Sequence, residues 1–468
     1  MDTPITEWTI AKAGIALRQG TITSRELTEA LLDRIAALQP QLNCYISVEG
    51  ERALEMADAA DTEIAAGRWR GPLHGVPMAH KDAFDREGHV TTVGTRLFNE
   101  PAAVTSTAIQ GLDDAGAVNL GALHMDELAA HGYGQNRNFG ICLNPWNADH
   151  VIGGSSGGSG VAVVSRMALG ALGGDTGGSV RIPAAMCGVT GLKPTLGRIS
   201  LHGAARRSWS ADCPGPLAQT AEDCGLMMQA VAGFDPADPI TRDVAVPDYT
   251  ADLTPDLQGF HIGIGVGPPF DDIHADVAPL HADAIAVFRD LGATVTEIEV
   301  PGAALANDLQ QTLIKPEITM MMRDLLQRTS DISPEVLGTQ DEGNMVPATR
   351  YLEAKALRGP VLEEHVHGVY GKVDVLFTAG LSGPVPTVEE MSSSDVAAIS
   401  ARYRNDLRII RFINYLGTPA MSVPCGFTPD GLPNSFQLHG PPFAEKRLIE
   451  VAHAYQLATN WHTRIPLL

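Results

Sequence analysis

Two serine-bearing glycine stretches stand in one apolar segment of this chain. They are Val151-Ile152-Gly153-Gly154-Ser155-Ser156-Gly157-Gly158-Ser159-Gly160 and Gly173-Gly174-Asp175-Thr176-Gly177-Gly178-Ser179-Val180-Arg181. Val161-Ala162-Val163-Val164 and Met167-Ala168-Leu169 separate them, which marks loops set between buried elements and not a polar linker. Buried glycine loops let backbone N–H groups come close to a bound group, and a serine at their centre is a candidate nucleophile. Lys81 is the third residue of interest, because it closes an apolar run between Met78 and Phe84. Loss of water there lowers a lysine's pKa and lets it act as a neutral base. The plain alternative is a strand-end lysine whose ammonium reaches solvent. Serine, glycine and lysine together point to hydrolytic or acyl-transfer chemistry.

Other motifs carry less. Gly153-x-Ser155-x-Gly157 matches the form of a nucleophile elbow, but only Val151-Ile152 precede it where a strand is needed. His453 and His462 are the later histidines such a site would call on, and nothing local singles out either. No Gly-Lys-Ser/Thr follows the glycines, so a phosphate-binding loop is not indicated. Gly263-Ile264-Gly265-Val266-Gly267 runs into Pro268-Pro269 where a dinucleotide site needs a helix N-terminus; it reads as a strand ending in a turn. His131, His202 and His439 lack metal-ligand spacing.

The elements that must position these residues alternate between helix and strand. Thr23-Ser24-Arg25-Glu26 has the form of a capping box, and Leu27, Leu31, Ile35 and Leu38 follow at helical spacing until Pro40, which is expected to end the helix. A second helix is predicted over 51–66, and a short apolar strand leads to Lys81. Residues 107–115 read as helix and 117–120 as strand. The stretch from Phe260 to Val300 reads as strand, helix, strand, and residues 303–400 as a looser, mostly helical segment. Strand character returns at 373–377 and 420–424, and a last helix is predicted over 445–459. This alternation predicts an α/β protein, and no linker or repeat divides it.

Composition fits an ordinary globular chain of 468 residues, with 44% hydrophobic and 19% charged residues. A net charge of −22 argues against a nucleic-acid surface, which needs clustered Lys and Arg. Six dispersed cysteines give neither a metal site nor a disulfide framework. No signal peptide and no membrane span are visible, so a cytoplasmic location is expected.

Taken in order, the motifs resemble the amidase signature family. The resemblance rests on Gly75-Val76-Pro77-Met78-Ala79-His80-Lys81-Asp82, Gly153-Gly154-Ser155-Ser156-Gly157-Gly158-Ser159 and Asp175-Thr176-Gly177-Gly178-Ser179-Val180-Arg181-Ile182-Pro183-Ala184. Gly191-Leu192-Lys193-Pro194-Thr195 extends it, as do Tyr415-Leu416-Gly417-Thr418-Pro419-Ala420, Val423-Pro424-Cys425-Gly426, Gly431-Leu432-Pro433 and Gln437. It covers most of residues 20–235 and 370–466. The resemblance implies a large mixed, twisted β-sheet covered by helices on both faces. It also implies one amidase domain over 1–468, with N-terminal helices at 1–70, a catalytic core at 71–235 and a variable substrate-pocket segment at 300–400.

For chemistry the resemblance implies a Ser–Ser–Lys triad: Ser179 as nucleophile, Ser155 as bridging serine and Lys81 as base. The Gly154-Ser155 bond is expected to be cis. Thr176, Gly177, Gly178 and Ser179 are expected to direct N–H groups at an oxyanion, with Asp175 and Arg181 bracing the loop and Ser156 and Ser159 structural. No cofactor is implied. Pocket walls are expected from Met125, Tyr133, Gly154, Cys187, Phe436 and the 303–400 segment. The expected partner is a small-molecule amide or carbamate, with no nucleic acid and no membrane; a homodimer stays open.

The family also includes the glutaminase component of tRNA-dependent amidotransferases, and several positions depart from that component's habit. Gly121-Ala122-Leu123-His124-Met125-Asp126-Glu127 stands where it usually has Gly-Lys-Thr-Asn-Met-Asp-Glu. Leu201 stands where arginine is common, and Leu407 where an aspartate helps hold glutamine's amino group, with Asp406 one position away. An amidase, a carbamate or urea hydrolase, a glutaminase subunit of a tRNA-dependent amidotransferase and a catalytically idle binding protein all remain open at this point.

Overall fold

The computed structural model describes residues 4–130, 132–392 and 396–468; His131 lies outside them. Eleven strands form one sheet. In chain order they are β1 (Tyr45–Val48), β2 (Pro77–Lys81), β3 (Val118–Leu123), β4 (Gly170–Asp175), β5 (Thr190–Lys193), β6 (Cys213–Ala218), β7 (His261–Val266), β8 (Thr294–Glu299), β9 (Val375–Ala379), β10 (Ala420–Phe427) and β11 (Pro433–His439). Their spatial order is β1-β3-β2-β4-β6-β5-β10-β11-β9-β7-β8. Pairs β3/β2, β2/β4, β9/β7 and β7/β8 are parallel and the rest antiparallel, so the sheet is mixed. Every residue of β2, β3, β5, β6, β9 and β11 is buried. Strands buried on both faces read as continuous apolar runs and need helices on either side. That is the α/β architecture expected.

Most predicted elements fall within a residue or two of those observed. The helix that starts on the Thr23 capping box differs, since it continues through Pro40 to Leu42. Pro40 sits in the last turn, where its missing N–H removes a single intrahelical bond, to the Ala36 carbonyl. Asn43, at φ 52°, then ends the helix with its N–H on the Gln39 carbonyl at 2.9 Å. In the 303–400 segment three long helices appear, Ala303–Met321, Pro334–Asn344 and Ala348–Tyr370. The glycines of β7 are packing residues, because a Cβ at Gly263 would meet Ile298 Cδ1 at 2.6 Å. No dinucleotide site is formed there.

The two serine loops hang from the middle of the sheet. Ser155 and Ser156 run directly into helix Gly157–Val164, and no strand precedes them, which removes the nucleophile-elbow reading. Ser179 follows the end of β4 and leads into helix Arg181–Cys187. Lys81 closes β2, the neighbour of β4.

Candidate active site

The sheet brings the lysine to the first loop. Lys81 and Ser155 are 3% and 1% exposed, and Lys81 Nζ donates to Ser155 Oγ at 2.7 Å. Burial lowers the Lys81 pKa to about 8, against the opposing pull of the Asp126 carboxylate. Burial likewise pushes the Asp126 carboxyl up to about 7, with Lys81 acting the other way. Both groups are thereby moved toward their neutral forms, the direction desolvation dictates for an acid and a base alike.

The Gly154-Ser155 peptide bond is cis. Glycine is required at 154 because a Cβ there would stand 2.3 Å from Asp126 Oδ2. Ser156 joins the two loops: its N–H donates to the Ser179 carbonyl at 3.2 Å, and its Oγ exchanges hydrogen bonds with the Gly174 main chain at 3.2 Å. The Ser179 side chain is half-buried, and among the described residues no hydrogen bond engages its Oγ. Catalytic hydrogen bonds are often open in a ligand-free site and close when substrate arrives.

Asp175 organises the second loop. Its carboxylate accepts from Gly178 N–H at 2.7 Å, Val180 N–H at 3.3 Å, Arg181 Nε at 3.1 Å and Asn414 Nδ2 at 2.8 Å. Burial alone would raise its pKa, but the Arg181 guanidinium and these donors outweigh it and hold the carboxyl at about 2. Arg181 is itself saturated, with Nη1 on the Gln437 Oε1 and Ile410 carbonyl and Nη2 on Asn414 Oδ1. A buried ion pair is tolerated when its remaining donors and acceptors are satisfied in this way.

Gly178 N–H donates to Asp175 Oδ1 at 2.7 Å, whereas Gly177 N–H and Ser179 N–H have no partner among the described residues. Gly178 serves by its backbone, at φ +115°, a conformation open to glycine. Thr176 is anchored by its side chain, with Oγ1 donating to Asp212 Oδ1 at 2.6 Å.

A cavity of about 240 Å³ opens against Lys81, Gly174, Asp175 and Thr176. Its walls are largely apolar: Phe84, Val93, Phe98, Met125, Leu128 and Leu201, closed by Met321, Met322 and Leu325 from the helical segment. The charged residues on the rim already have protein partners. Arg206 binds Asp238 at 3.1 Å, Arg207 donates to the Ala129 carbonyl, and Asp212 accepts from Thr176 and from the Arg207 and Ser208 N–H groups.

Of the proposed wall residues, Met125 and the 303–400 segment line this cavity. Gly154 is buried against Asp126, and half-buried Tyr133 packs on a neighbouring apolar cluster. Cys187 and Phe436 stand elsewhere. Cys187 is fully buried under Ile152, with its Sγ 3.5 Å from that carbonyl. Phe436 stacks on Phe377 at 5.0 Å and meets Phe288 and Tyr455 edge-on, in an aromatic core on β11. Phe436→Ala should therefore lower stability by about 3–5 kcal/mol while leaving substrate preference unchanged, as a calorimetric unfolding scan beside a substrate panel will show.

Some site residues had little signal in the sequence. Gln310 and Glu317 had one: they fall on the buried stripe of helix Ala303–Met321, among Ala306, Leu309, Leu313, Ile314 and Ile318. Polar residues on an apolar helix face are held there by partners. Glu317 accepts from Ser208 Oγ at 2.5 Å, Ser210 Oγ at 2.6 Å and Tyr351 Oη at 3.1 Å. Asp212 had no such signal. Among the described residues no group of three or more His, Cys, Asp or Glu could hold a metal, all six cysteines are free and buried, and no helix is long and apolar enough to cross a membrane.

The amidase family model matches residues 26–449, and the chain belongs to that family. It is therefore an amide C–N hydrolase or a related enzyme. The chain is 38% identical to the A subunit of glutamyl-tRNA(Gln) amidotransferase from a Marinomonas species, over 99% of both chains. Among solved structures it resembles the native peptide amidase of Stenotrophomonas maltophilia, at 30% identity and a TM-score of 0.83 over 98% of both chains. It also resembles the A subunit of glutamyl-tRNA(Gln) amidotransferase from Thermotoga maritima, at 26% identity and a TM-score of 0.84 over 100% of this chain and 98% of that one.

Proposed function

We propose that this protein is an amidohydrolase that cleaves a carboxylic amide through an acyl-enzyme on Ser179. The observation that carries this reading is the buried 2.7 Å contact from Lys81 Nζ to Ser155 Oγ, beside the Ser179 loop and at the edge of an apolar cavity. Neutral Lys81 takes the Ser155 proton as Ser155 takes that of Ser179, whose Oγ attacks the acyl carbon. Gly177 N–H and Ser179 N–H receive the developing oxyanion, each donor contributing about 3–4 kcal/mol to the transition state. The proton then returns along the same path to the leaving nitrogen, and ammonia or an amine departs. Water enters by the reverse relay and releases the acid.

The cavity favours a neutral, apolar or aromatic acyl group. The rim charges are already paired, so a substrate's own charged group would enter unpaired and lose affinity. A carbamate fits the same machinery, with loss of carbon dioxide after hydrolysis.

The 38% identity to an amidotransferase component favours a second reading, a glutaminase subunit that hands ammonia to a partner. Against it, Leu201 presents an apolar side chain to the cavity, Leu407 is buried, and Asp406 is held by Arg402 Nε at 2.9 Å. Kinetics on a panel of neutral aryl and alkyl amides, carbamates and L-glutamine will separate the two. The amidase reading expects kcat/KM for the best neutral amide to exceed that for glutamine by about 100-fold or more. Glutamine hydrolysis that appears only with a copurifying tRNA-binding subunit would establish the second reading instead.

A further inference from the structure

We infer that Gln310 is a positioning residue for the oxyanion site, holding and polarising the peptide group whose N–H faces the substrate. This inference rests on the acyl-enzyme reading above. Gln310 lies on helix Ala303–Met321, far along the chain from the serine loops, and is completely buried. Its Nε2 donates to the Thr176 carbonyl at 3.3 Å. The Thr176 carbonyl can only accept, which sets the amide orientation, and Gln311 Nε2 donates to Gln310 Oε1 on the other side. Gln310 thus presents its NH₂ to the loop.

The Thr176 carbonyl and the Gly177 N–H belong to one planar peptide unit. A donor on that carbonyl draws electron density from the amide nitrogen and makes the Gly177 N–H a stronger donor, the cooperative effect of hydrogen-bond chains in a low-dielectric interior. It also fixes the direction of that N–H, because the plane cannot rotate without breaking the bond to Gln310. The same residue is tied from its other side by Thr176 Oγ1 on Asp212. The loop is thus wired to the body of the sheet through Asp175 and to the substrate-pocket helix through Gln310.

The test compares wild type, Gln310→Leu, Gln310→Glu and Ser179→Ala in the full chain, on one neutral amide. Gln310→Leu should lower kcat about tenfold with KM within about twofold. A boronic acid, which forms a tetrahedral adduct on serine, should bind about tenfold more weakly, while a non-hydrolysable ground-state analogue binds as before. In Gln310→Glu the ratio of variant to wild-type kcat should rise as pH falls from 8 to 5, because a protonated carboxyl regains a donor. Wild-type kcat in both Gln310 variants overturns the inference, and so does a loss that falls equally on KM, ground-state binding and the unfolding midpoint. An active Ser179→Ala protein would instead overturn the underlying acyl-enzyme reading, which keeps the two failures distinct.

Discussion

Ser179→Ala should leave a folded protein whose kcat on a neutral amide is reduced by about 10⁴-fold or more, the scale seen when a covalent nucleophile is removed. Half-buried Ser179 has no hydrogen bond through its Oγ among the described residues, so its loss breaks no internal network. The loop keeps its shape through Asp175, which binds Gly178, Val180, Arg181 and Asn414 without the serine hydroxyl. Unfolding should therefore be unchanged while intact-mass spectra lose the acyl adduct that wild type accumulates on a slow ester. Retained turnover, or an adduct that maps to Ser155, would reassign the nucleophile.

Lys81 gives the second large effect and a pH signature. Lys81→Ala should lower kcat/KM by about 10²–10⁴-fold at neutral pH, the range for losing a general base. A lysine base works only when uncharged. With its pKa lowered to about 8, chiefly by burial, the neutral fraction rises about tenfold per pH unit below that value and levels off above it. Activity should follow, climbing from pH 6 to 8 and flat by pH 9. Compared with an ordinary lysine, this shift makes roughly 300 times more free amine available at pH 7. A profile that is level between pH 6 and 9, or a Lys81→Ala variant with the same acid limb as wild type, would remove Lys81 from the role.

The sequence made the serine loops, the lysine strand and the α/β alternation legible because each depends on local chemistry. Glycine permits backbone approach, capping serines and threonines start helices, and apolar runs define buried strands. What it hid depends on distant pairing. Gly178 and Gly177 look equivalent in Asp175-Thr176-Gly177-Gly178-Ser179, yet only the fold shows that Asp175 turns back on Gly178 and leaves Gly177 open. Phe436 and Cys187 are expected pocket walls on the family resemblance, but their directions are set by β11 and helix Arg181–Cys187, which carry them into the core. Within the 303–400 segment, only the tertiary placement of helix Ala303–Met321 brings Met321 and the following Met322 to the cavity wall.

Helix Ala303–Met321 has a consequence for how this protein can change over generations. Its last turn shapes the cavity with Met321, while Glu317 and Gln310 on the same rod are bolted to the 208–210 loop and to the Thr176 carbonyl. On the proposed acyl-enzyme reading, substitutions that trim or enlarge Met321, Met322 or Leu325 retune which acyl groups enter without moving the rod. A change that tilts or slides the helix to admit a bulkier substrate drags both anchors with it. Breadth of diet and speed of turnover are then tied together, so descendants of this chain should broaden their substrates by exchanging side chains at the helix end before they shift its axis.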